Sequence, residues 1–299
     1  MADSRTSPPD APSEGAPAGA SSPEAPPPGG PPSGNGTADQ RPQLPPGGEM
    51  SFIDHLEELR WSLFKGFAAL AGGIVVCIVF RGWILREVLL GPLEPDFLMY
   101  RVLALDAVPV TLLNRTVTGQ FFADIGVIVA CGFVIGSPGA VYYLWKFVEP
   151  ALYPEEKENL RFSAAFASFF FLLGVAFGYL ILTPIALQFF ATYQLSPEVV
   201  NEFDISRYFN LLIFWALGCG VLFELPVAVY LLTNMGLVTP DLLRTYRKYA
   251  LMVVLVMAAM FTPPDPISQM LVALPLLLLY EASIYISVFT TRRRRQKQA

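Results

Sequence analysis

Long apolar runs alternate with more polar connections over most of the chain beyond residue 50. Just before the first run, residues 51–65 repeat apolar positions every three to four residues, with charged residues on the other faces. This spacing predicts an amphipathic helix that leads into a membrane-spanning helix. Each of the first four apolar runs has about the 20 residues that a helix needs to cross a bilayer. These runs are residues 66–85, 121–143, 162–184 and 208–232.

The next apolar run, towards the C-terminus, is shorter than the first four. Residues 249–261 are apolar for only 13 positions, which gives about 20 Å of helix against a hydrocarbon core of about 30 Å. TPPD at residues 262–265 ends this run, and residues 267–289 resume it despite Pro275 and Glu281. A re-entrant hairpin is one explanation, but two short spans joined by a tight outer turn fit the polar ends better. The pattern therefore predicts an all-α integral membrane protein of six spanning helices, the fifth and sixth of which are short.

Basic residues near the predicted spans fall mainly on one side of the membrane. The positive-inside rule assigns that side to the cytoplasm, so both termini are expected there, in a multi-pass protein of the cytoplasmic membrane. The sparser, outer side holds Arg81, Arg86, Arg101, Arg115 and Arg207. The richer side holds Arg60, Lys65, Lys146, Lys157, Arg161, Arg244, Arg247, Lys248, Arg292, Arg293, Arg294, Arg295 and Lys297.

Composition divides the chain into three predicted parts. Residues 1–49 are rich in proline, glycine and alanine and cannot bury enough apolar surface to fold, so they are expected to form a disordered cytoplasmic tail. No apolar segment follows Met1, so a cleavable signal peptide is not expected. Residues 50–289 form the membrane domain, and residues 290–299 a basic cytoplasmic tail. No basic stripe with interleaved aromatic residues occurs, so nucleic acid is not an expected partner.

The apolar runs lack the residue combinations that most enzyme chemistry needs. His55, the one histidine, lies before the first span, which leaves no Ser-His or Cys-His pair within the membrane. Cys77, Cys131 and Cys219 lie in apolar runs without C-x-x-C spacing and are interpreted as packing residues. No P-loop, H-E-x-x-H or G-x-S-x-G pattern is present. The sequence therefore predicts a protein that is not an enzyme and needs no cofactor or metal.

Glu224 is the one charged residue within the fourth apolar run, residues 208–232. A carboxylate at such a position costs about 2.5 to 3.5 kcal/mol on insertion scales, so it needs a compensating environment. One interpretation is structural: a protonated glutamic acid hydrogen-bonded to a neighbouring helix. The other is functional: a polar group facing a hollow that the other helices build.

Acidic residues also gather on the predicted cytoplasmic side, before the first span and after the second. Charge runs beside a membrane are usually solvated loops, and spacing alone favours that interpretation. Their position on the basic side is nevertheless unusual, because acids there could form charge-assisted, bidentate pairs with arginines of a cationic partner. The residues are Glu57, Glu58, Glu155, Glu156 and Glu158.

Four motifs give the chain a resemblance to a known family. HLEELR (residues 55–60), FVEPALYPEEKE (147–158), FELPVAV (223–229) and TPPDPISQ (262–269) resemble the TatC family, the multispanning receptor of the twin-arginine protein translocase. The resemblance covers residues 50–289 and places the motifs in the right order between the right spans. It implies a cup of six tilted helices that binds twin-arginine signal peptides at its cytoplasmic face and organises proton-driven export of folded proteins.

The resemblance also implies roles for individual residues. It implies partners as well: small single-span subunits of the TatA/TatB type, in an oligomeric complex. The implied signal-peptide contacts are Glu58 and Glu156, with Leu56, Arg60 and Phe147 beside them. Glu224 and Gln269 match polar positions within the membrane, while Pro92, Pro138, Pro263, Pro264 and Asp265 match family turns and prolines.

The sequence departs from the family pattern at two positions and leaves one rival function open. Ser62 replaces a usual basic residue, which weakens the case for anionic-lipid anchoring of the first helix, and Gln120 replaces a frequent acid. The rival is a proton-coupled secondary transporter that uses Glu224 as its carrier. Such a protein needs a polar path at the bilayer midplane, and the spans offer little besides Glu224. An intramembrane hydrolase would need a nucleophile–base pair, which is missing.

Two glycine pairs could let helices approach closely, although glycine is common in membrane helices and each pair is a weak signal alone. They are Gly132 with Gly136, and Gly174 with Gly178.

Overall fold

The computed structural model describes the backbone of residues 52–105, 110–148 and 160–298. Helix makes up most of it, because a chain surrounded by hydrocarbon must satisfy its backbone polar groups within each segment. The helices are α1 (Phe52–Val79), α2 (Arg81–Trp83), α3 (Leu98–Val102), α4 (Gly119–Val148), α5 (Leu160–Phe177), α6 (Thr183–Thr192), α7 (Ile205–Phe223), α8 (Leu225–Asn234), α9 (Pro240–Thr245), α10 (Arg247–Phe261) and α11 (Pro266–Gln298). The described residues also form two π-helical segments (Ile84–Leu89 and Gly178–Leu182), a 3₁₀ turn (Gly91–Leu93) and strands β1 (Leu112–Leu113) and β2 (Phe203–Asp204).

Among the described residues, five helical stretches are long and apolar enough to cross a membrane. Two of them join two α-helices each, since α5 continues through a π-helical segment into α6, and α7 continues into α8. The all-α, multispanning fold predicted from the sequence is therefore confirmed; the count of six spans and the orientation of the termini stay predictions. The five stretches are Arg60–Val79, Gly119–Lys146, Ser163–Thr192, Ile205–Asn234 and Pro266–Arg293.

The last two long helices differ from each other in length. The helix α10 has 15 residues and is short, as expected. The expectation that the sixth helix is also short is wrong for the helix as a whole, because α11 has 33 residues and passes through Pro275. The basic residues after Phe289 continue the helix, since arginine, glutamine and lysine are good helix formers and no glycine or further proline intervenes.

Only the first part of α11 forms a short hairpin with α10. The Arg247 guanidinium at the start of α10 lies 2.8 Å from the Glu281 carboxylate. This pair places the start of α10 level with Glu281, so the part of α11 opposite α10 spans roughly 24 Å at 1.5 Å per residue. Beyond Glu281, α11 packs against α8, where the Thr233 hydroxyl donates to the Ser287 hydroxyl at 3.0 Å.

Glycines allow α1 and α4 to pack with their backbones in contact. A Cβ atom added to Gly136 would lie 2.7 Å from the carbonyl oxygen of Ala69 and 2.7 Å from the Cα of Leu70. A Cβ on Gly73 would lie 2.6 Å from the backbone nitrogen of Gly136. The second glycine pair does the same between α5 and α7, where Gly174 meets Gly220. The close approaches suggested by the two glycine pairs are thus present.

Three clusters of buried apolar residues hold the spans together. One cluster joins α7 to α10 and α11 around Trp215, Cys219 and Phe261. A second lies at the predicted outer end and joins α1, α4 and α7. A third, which includes Trp145 and Val227, joins α4, α5 and α8 at the predicted cytoplasmic end. The helix α7 contributes to the first two clusters and α8 to the third, so the fourth span takes part in all three and is the central one.

Polar contacts tie together the connections at the predicted outer end. The strands β1 and β2 pair in parallel, with Leu112 opposite Phe203. The Arg115 guanidinium lies 2.6 Å from the Glu202 carboxylate. The Asp124 carboxylate, near the start of α4, lies 2.8 Å from the Arg81 guanidinium. These contacts form an outer cap over the ends of the first four spans.

Candidate functional site

A cavity of about 650 Å³ opens between the first four spans. Its wall comes from α1, α4, α5 and the broken fourth span, which together leave a hollow on the predicted cytoplasmic half of the bundle. Most of the wall is apolar, and among its described residues the side chains with polar groups are two serines, a tyrosine, a tryptophan and one glutamate. The lining residues are Ser62, Leu63, Gly66, Phe67, Leu70, Phe133, Ser137, Ala140, Val141, Tyr143, Leu144, Trp145, Ala167, Phe171, Glu224, Val227, Ala228 and Leu231.

Glu224 lies where the fourth span is interrupted, between α7 and α8. The cause of the interruption is local, since Pro226 has no backbone N–H to continue the helical hydrogen bonds. The Glu224 carbonyl accepts from the backbone N–H of Val227 at 3.0 Å and of Ala228 at 2.9 Å, which restarts the helix. The break turns the half-buried side chain of Glu224 to the cavity wall.

The Glu224 carboxyl has no hydrogen-bond or ion-pair partner among the residues that the structure describes. The structural interpretation of this residue required a hydrogen bond to a neighbouring helix, and the described helices supply none. The functional interpretation required a hollow, and Glu224 borders one. A carboxyl in this setting is available to a polar group that enters the cavity.

Ser62 and Ser137 are polar residues of the cavity wall for which the sequence predicts no site role. The Ser137 hydroxyl donates to the Val134 carbonyl at 2.8 Å, so its hydrogen is already used within α4. Ser62 is 5% exposed and lies two residues beyond the HLEELR motif. A small side chain at this position leaves the cavity open. The signal in the sequence is a small polar residue among large apolar ones.

The TPPD turn joins α10 to α11 and is fixed by its aspartate. The Asp265 carboxylate accepts from both the backbone N–H and the hydroxyl of Ser268, each at 2.8 Å. These two hydrogen bonds hold the pKa of Asp265 below its ordinary value, against a smaller opposing effect of burial. Pro263 is buried and Pro264 is exposed, so the turn presents one proline to the bundle and one outward.

Comparisons with known proteins bear on the whole membrane domain. The family described as Sec-independent protein translocase protein (TatC) matches residues 54–275. The TatC protein of Blattabacterium sp. subsp. Periplaneta americana is 33% identical over 260 residues, 82% of this chain and 98% of the relative. The TatC protein of Aquifex aeolicus is 32% identical over 250 residues, 83% of this chain and 99% of the relative. The chain belongs to the TatC family.

A solved structure supports the same assignment at the level of the fold. The crystal structure titled Twin Arginine Translocase Receptor TatC, in DDM, matches with a TM-score of 0.63 and 31% identity. The match covers 78% of this chain and 99% of the solved one. The solved TatC chain is thus matched over nearly its whole length.

The TatC residues expected to contact a signal peptide fall largely outside the described part of the chain. Glu156 lies in a stretch outside the described residues, and so do the side chains of Leu56, Glu58 and Phe147. Arg60 is described: its guanidinium is exposed and lies 3.6 Å from the Glu57 carboxylate, one turn away. Trp145, close to the end of α4, is buried and anchors the segment that leads to Phe147. The grouping of these residues stays a prediction.

Gln269 and Pro92, two further TatC positions, make contacts within the chain. The Gln269 side-chain amide donates to the Leu255 carbonyl at 3.1 Å and joins α11 to α10 across the hairpin. Pro92 is buried, and its carbonyl accepts a hydrogen bond from the Tyr100 hydroxyl at 2.7 Å. Burial raises the pKa of Tyr100 to about 12. Pro138 lies within α4 and is exposed, on a side of the helix away from the cavity.

Two tyrosines form a link between spans that the sequence did not reveal. The Tyr208 hydroxyl donates to the Leu89 carbonyl at 2.6 Å, and the Tyr179 hydroxyl donates to the Val88 carbonyl. Both carbonyls belong to the π-helical segment after α2, whose wider turn leaves such groups available to side chains. No local spacing in the sequence predicts these hydrogen bonds, because the bonded residues are about 90 or more positions apart.

Proposed function

We propose that this chain is the receptor and core subunit of a twin-arginine protein translocase, which exports folded proteins across the cytoplasmic membrane. The observation that carries the proposal is the similarity to TatC proteins, which runs over residues 54–275 and so includes the cavity and the TPPD turn. The chain is thus a transport protein. Transport energy comes from the proton gradient in this proposal, and both termini face the cytoplasm, as the distribution of basic residues indicates.

Glu58 and Glu156 are the proposed acceptors for the two arginines of the signal peptide. Carboxylates suit this task because guanidinium groups bind them through two parallel, charge-assisted hydrogen bonds. Lysine presents a single ammonium point charge and lacks this fork, so a lysine pair would be a poorer ligand. Leu56, Arg60 and Phe147 are proposed to border the same surface, and the apolar part of the signal peptide would follow it towards the membrane.

Recovery of a tagged twin-arginine precursor with the purified chain tests this function. Glu58→Ala and Glu156→Ala should each weaken precursor binding by about 10- to 100-fold, since a hydrogen bond to a charged group is lost. Changing the precursor's arginine pair to lysines should weaken binding to the unaltered chain to a similar extent.

Glu57→Ala is the matched control for Glu58→Ala, because Glu57 is on the same helix and already lies beside Arg60. It should leave binding close to normal. Full precursor recovery by the double variant of Glu58 and Glu156 would contradict the assignment of both residues.

The exposed side of α10 is proposed to bind the small single-span subunits of the TatA/TatB type. Its 15 residues rise roughly 22 Å, less than a hydrocarbon core of about 30 Å. Another short helix lying beside it would share the cost of thinning the bilayer. Met252, Val253 and Val256 are more than half exposed and offer an apolar contact surface.

Single cysteines over residues 252–257 should therefore cross-link to a small subunit in membranes, most strongly at Met252, Val253 and Val256. Ala258→Cys is the control, because Ala258 is fully buried in the bundle and its side chain cannot reach a partner. Cross-links to lipid or to a second copy alone, over the full helical turn, would exclude this surface.

The rival function, a proton-coupled transporter, receives less support from the cavity. A carrier needs a relay of polar or ionisable groups near the bilayer midplane. Among the described lining residues, Glu224 is the one carboxylate, and the remainder of the wall is mostly apolar. This wall suits an apolar helix or peptide with a polar residue better than it suits a small solute.

A further inference from the structure

A second, smaller cavity lies in the outer cap, where β2 leads into α7. It has a volume of about 230 Å³ and is unconnected with the site around Glu224. Four charged residues form its rim: Arg115, Glu202, Asp204 and Arg207. Two of these described residues are basic and two are acidic, so together they have no net formal charge.

Three of the four charged groups already have partners within the cap. The Arg115 guanidinium lies 2.6 Å from Glu202. Asp204 accepts from the backbone N–H of Ser206 at 3.0 Å and of Arg207 at 3.2 Å, and so caps α7. Its second oxygen accepts from the backbone N–H of Arg115 at 3.2 Å. The acids are thus held in place, and one oxygen of Glu202 remains available.

Arg207 differs from the other three. Its side chain is exposed, and in the part of the chain that the structure describes no carboxylate lies within ion-pair distance of its guanidinium. Because Arg207 is the third residue of the fourth span, the guanidinium lies at the boundary between the outer cap and the apolar part of the bundle. A guanidinium at this depth is placed to bind a phosphate group.

The deeper wall of the cavity is apolar and partly exposed. Leu211 lies one helical turn beyond Arg207 and is 39% exposed. Phe190 lies in the last turns of the third span and is 37% exposed. Leu187 behind them is buried. The cavity therefore passes from a charged rim to an apolar channel between the third and fourth spans. A phospholipid has the same order of parts, a charged headgroup followed by apolar acyl chains.

We propose that this cavity is a binding site for a zwitterionic phospholipid that carries a primary ammonium group, of the phosphatidylethanolamine type. The phosphate binds Arg207, the ammonium faces the free oxygen of Glu202, and the upper acyl chain lies against Leu211 and Phe190. The absence of net charge on the rim decides the lipid class. A net anionic headgroup would gain from Arg207 but be repelled by Glu202 and Asp204, and choline cannot donate a hydrogen bond to a carboxylate.

Native mass spectrometry of the purified chain with added lipids tests the site. Phosphatidylethanolamine should remain bound at lower concentrations than phosphatidylglycerol or phosphatidylcholine. Arg207→Gln should reduce its retention by about 10- to 100-fold, because a charged hydrogen bond is lost. Leu211→Trp, which fills the apolar channel but keeps the arginine, should also reduce retention.

Arg101→Gln is the matched control, since Arg101 is an exposed arginine of the same outer side that does not line this cavity. It should retain the lipid normally. Equal retention by Arg207→Gln and Arg101→Gln would overturn the proposal, and so would a preference for phosphatidylglycerol. Inorganic phosphate at millimolar concentration should not displace the lipid; displacement would identify a simple anion site instead. None of these results depends on signal-peptide binding.

Discussion

Replacing Gly73 with leucine is expected to separate α1 from α4 and to leave little folded protein in detergent. A Cβ at this position would lie 2.6 Å from the nitrogen and 2.9 Å from the Cα of Gly136 and would meet the Gly132 carbonyl oxygen. Those atoms are backbone, so no rotamer change relieves the overlap. Overpacking in a core costs about 1 to 3 kcal/mol, and we expect a loss at or above the upper end. The apparent melting temperature and the monodisperse yield measure it.

The neighbouring Gly72 provides an unusually close control. It lies on the same helix, one residue earlier, and a Cβ there would meet nothing within 4 Å. Gly72→Leu should therefore be neutral, or stabilise the fold by up to about 1 kcal/mol through helix propensity. If both variants lose stability equally, the cause is a general intolerance of α1 to leucine, and the close packing at Gly73 does not explain the result.

Glu224→Ala is expected to reduce export of a folded reporter by roughly tenfold or more while signal-peptide binding persists. The reason is that the cavity would lose the one carboxyl among its described lining residues. This carboxyl is proposed to form a hydrogen bond with a polar group of a partner helix, which would contribute about 1.5 to 3 kcal/mol. Glu224→Gln keeps the hydrogen-bonding shape and should retain most export if the acid acts in its protonated form. Reporter export and precursor binding, measured side by side, separate the two steps.

Glu224→Leu distinguishes a functional glutamate from a structural one. Because the carboxyl has no partner among the described residues, its removal should relieve an unfavourable burial and stabilise the chain by about 1 to 3 kcal/mol. The melting temperature in detergent should rise although export falls. Lower stability together with normal export in Glu224→Ala would instead return this residue to a structural role.

The main spans could be predicted from the sequence because hydropathy acts locally. The fourth span shows the limit of such local prediction. Its break follows from Pro226, which the sequence shows. What Glu224 faces, however, depends on where α1 and α4 lie. Similarly, the spacing of Gly132 and Gly136 predicts a close approach without naming its partner. The partner, Gly73, is adjacent to Gly72 and lacks the four-residue spacing of the motif.

The length of the sixth helix was predicted incorrectly for a physical reason. Hydropathy marks where a helix leaves hydrocarbon, at Phe289, but it does not mark where the helix ends. The residues that follow favour helix in water, so α11 continues to Gln298. The ion pair of Arg247 with Glu281 is a better measure of the hairpin's height, but a pair 34 residues apart cannot be recognised from spacing alone.

The outer cap has a consequence for the order in which the protein assembles. The α1–α4 contact joins the first span to the second, so it can form as soon as the second span is inserted. The bonds of Arg115 to Glu202 and Asp204 connect residues 87 and 89 positions apart. Because contacts between distant residues must wait for the chain between them, the β1–β2 pairing forms late. Until the third span has entered the bilayer, Arg115 stays solvated outside it, and closure of the cap follows insertion of that span.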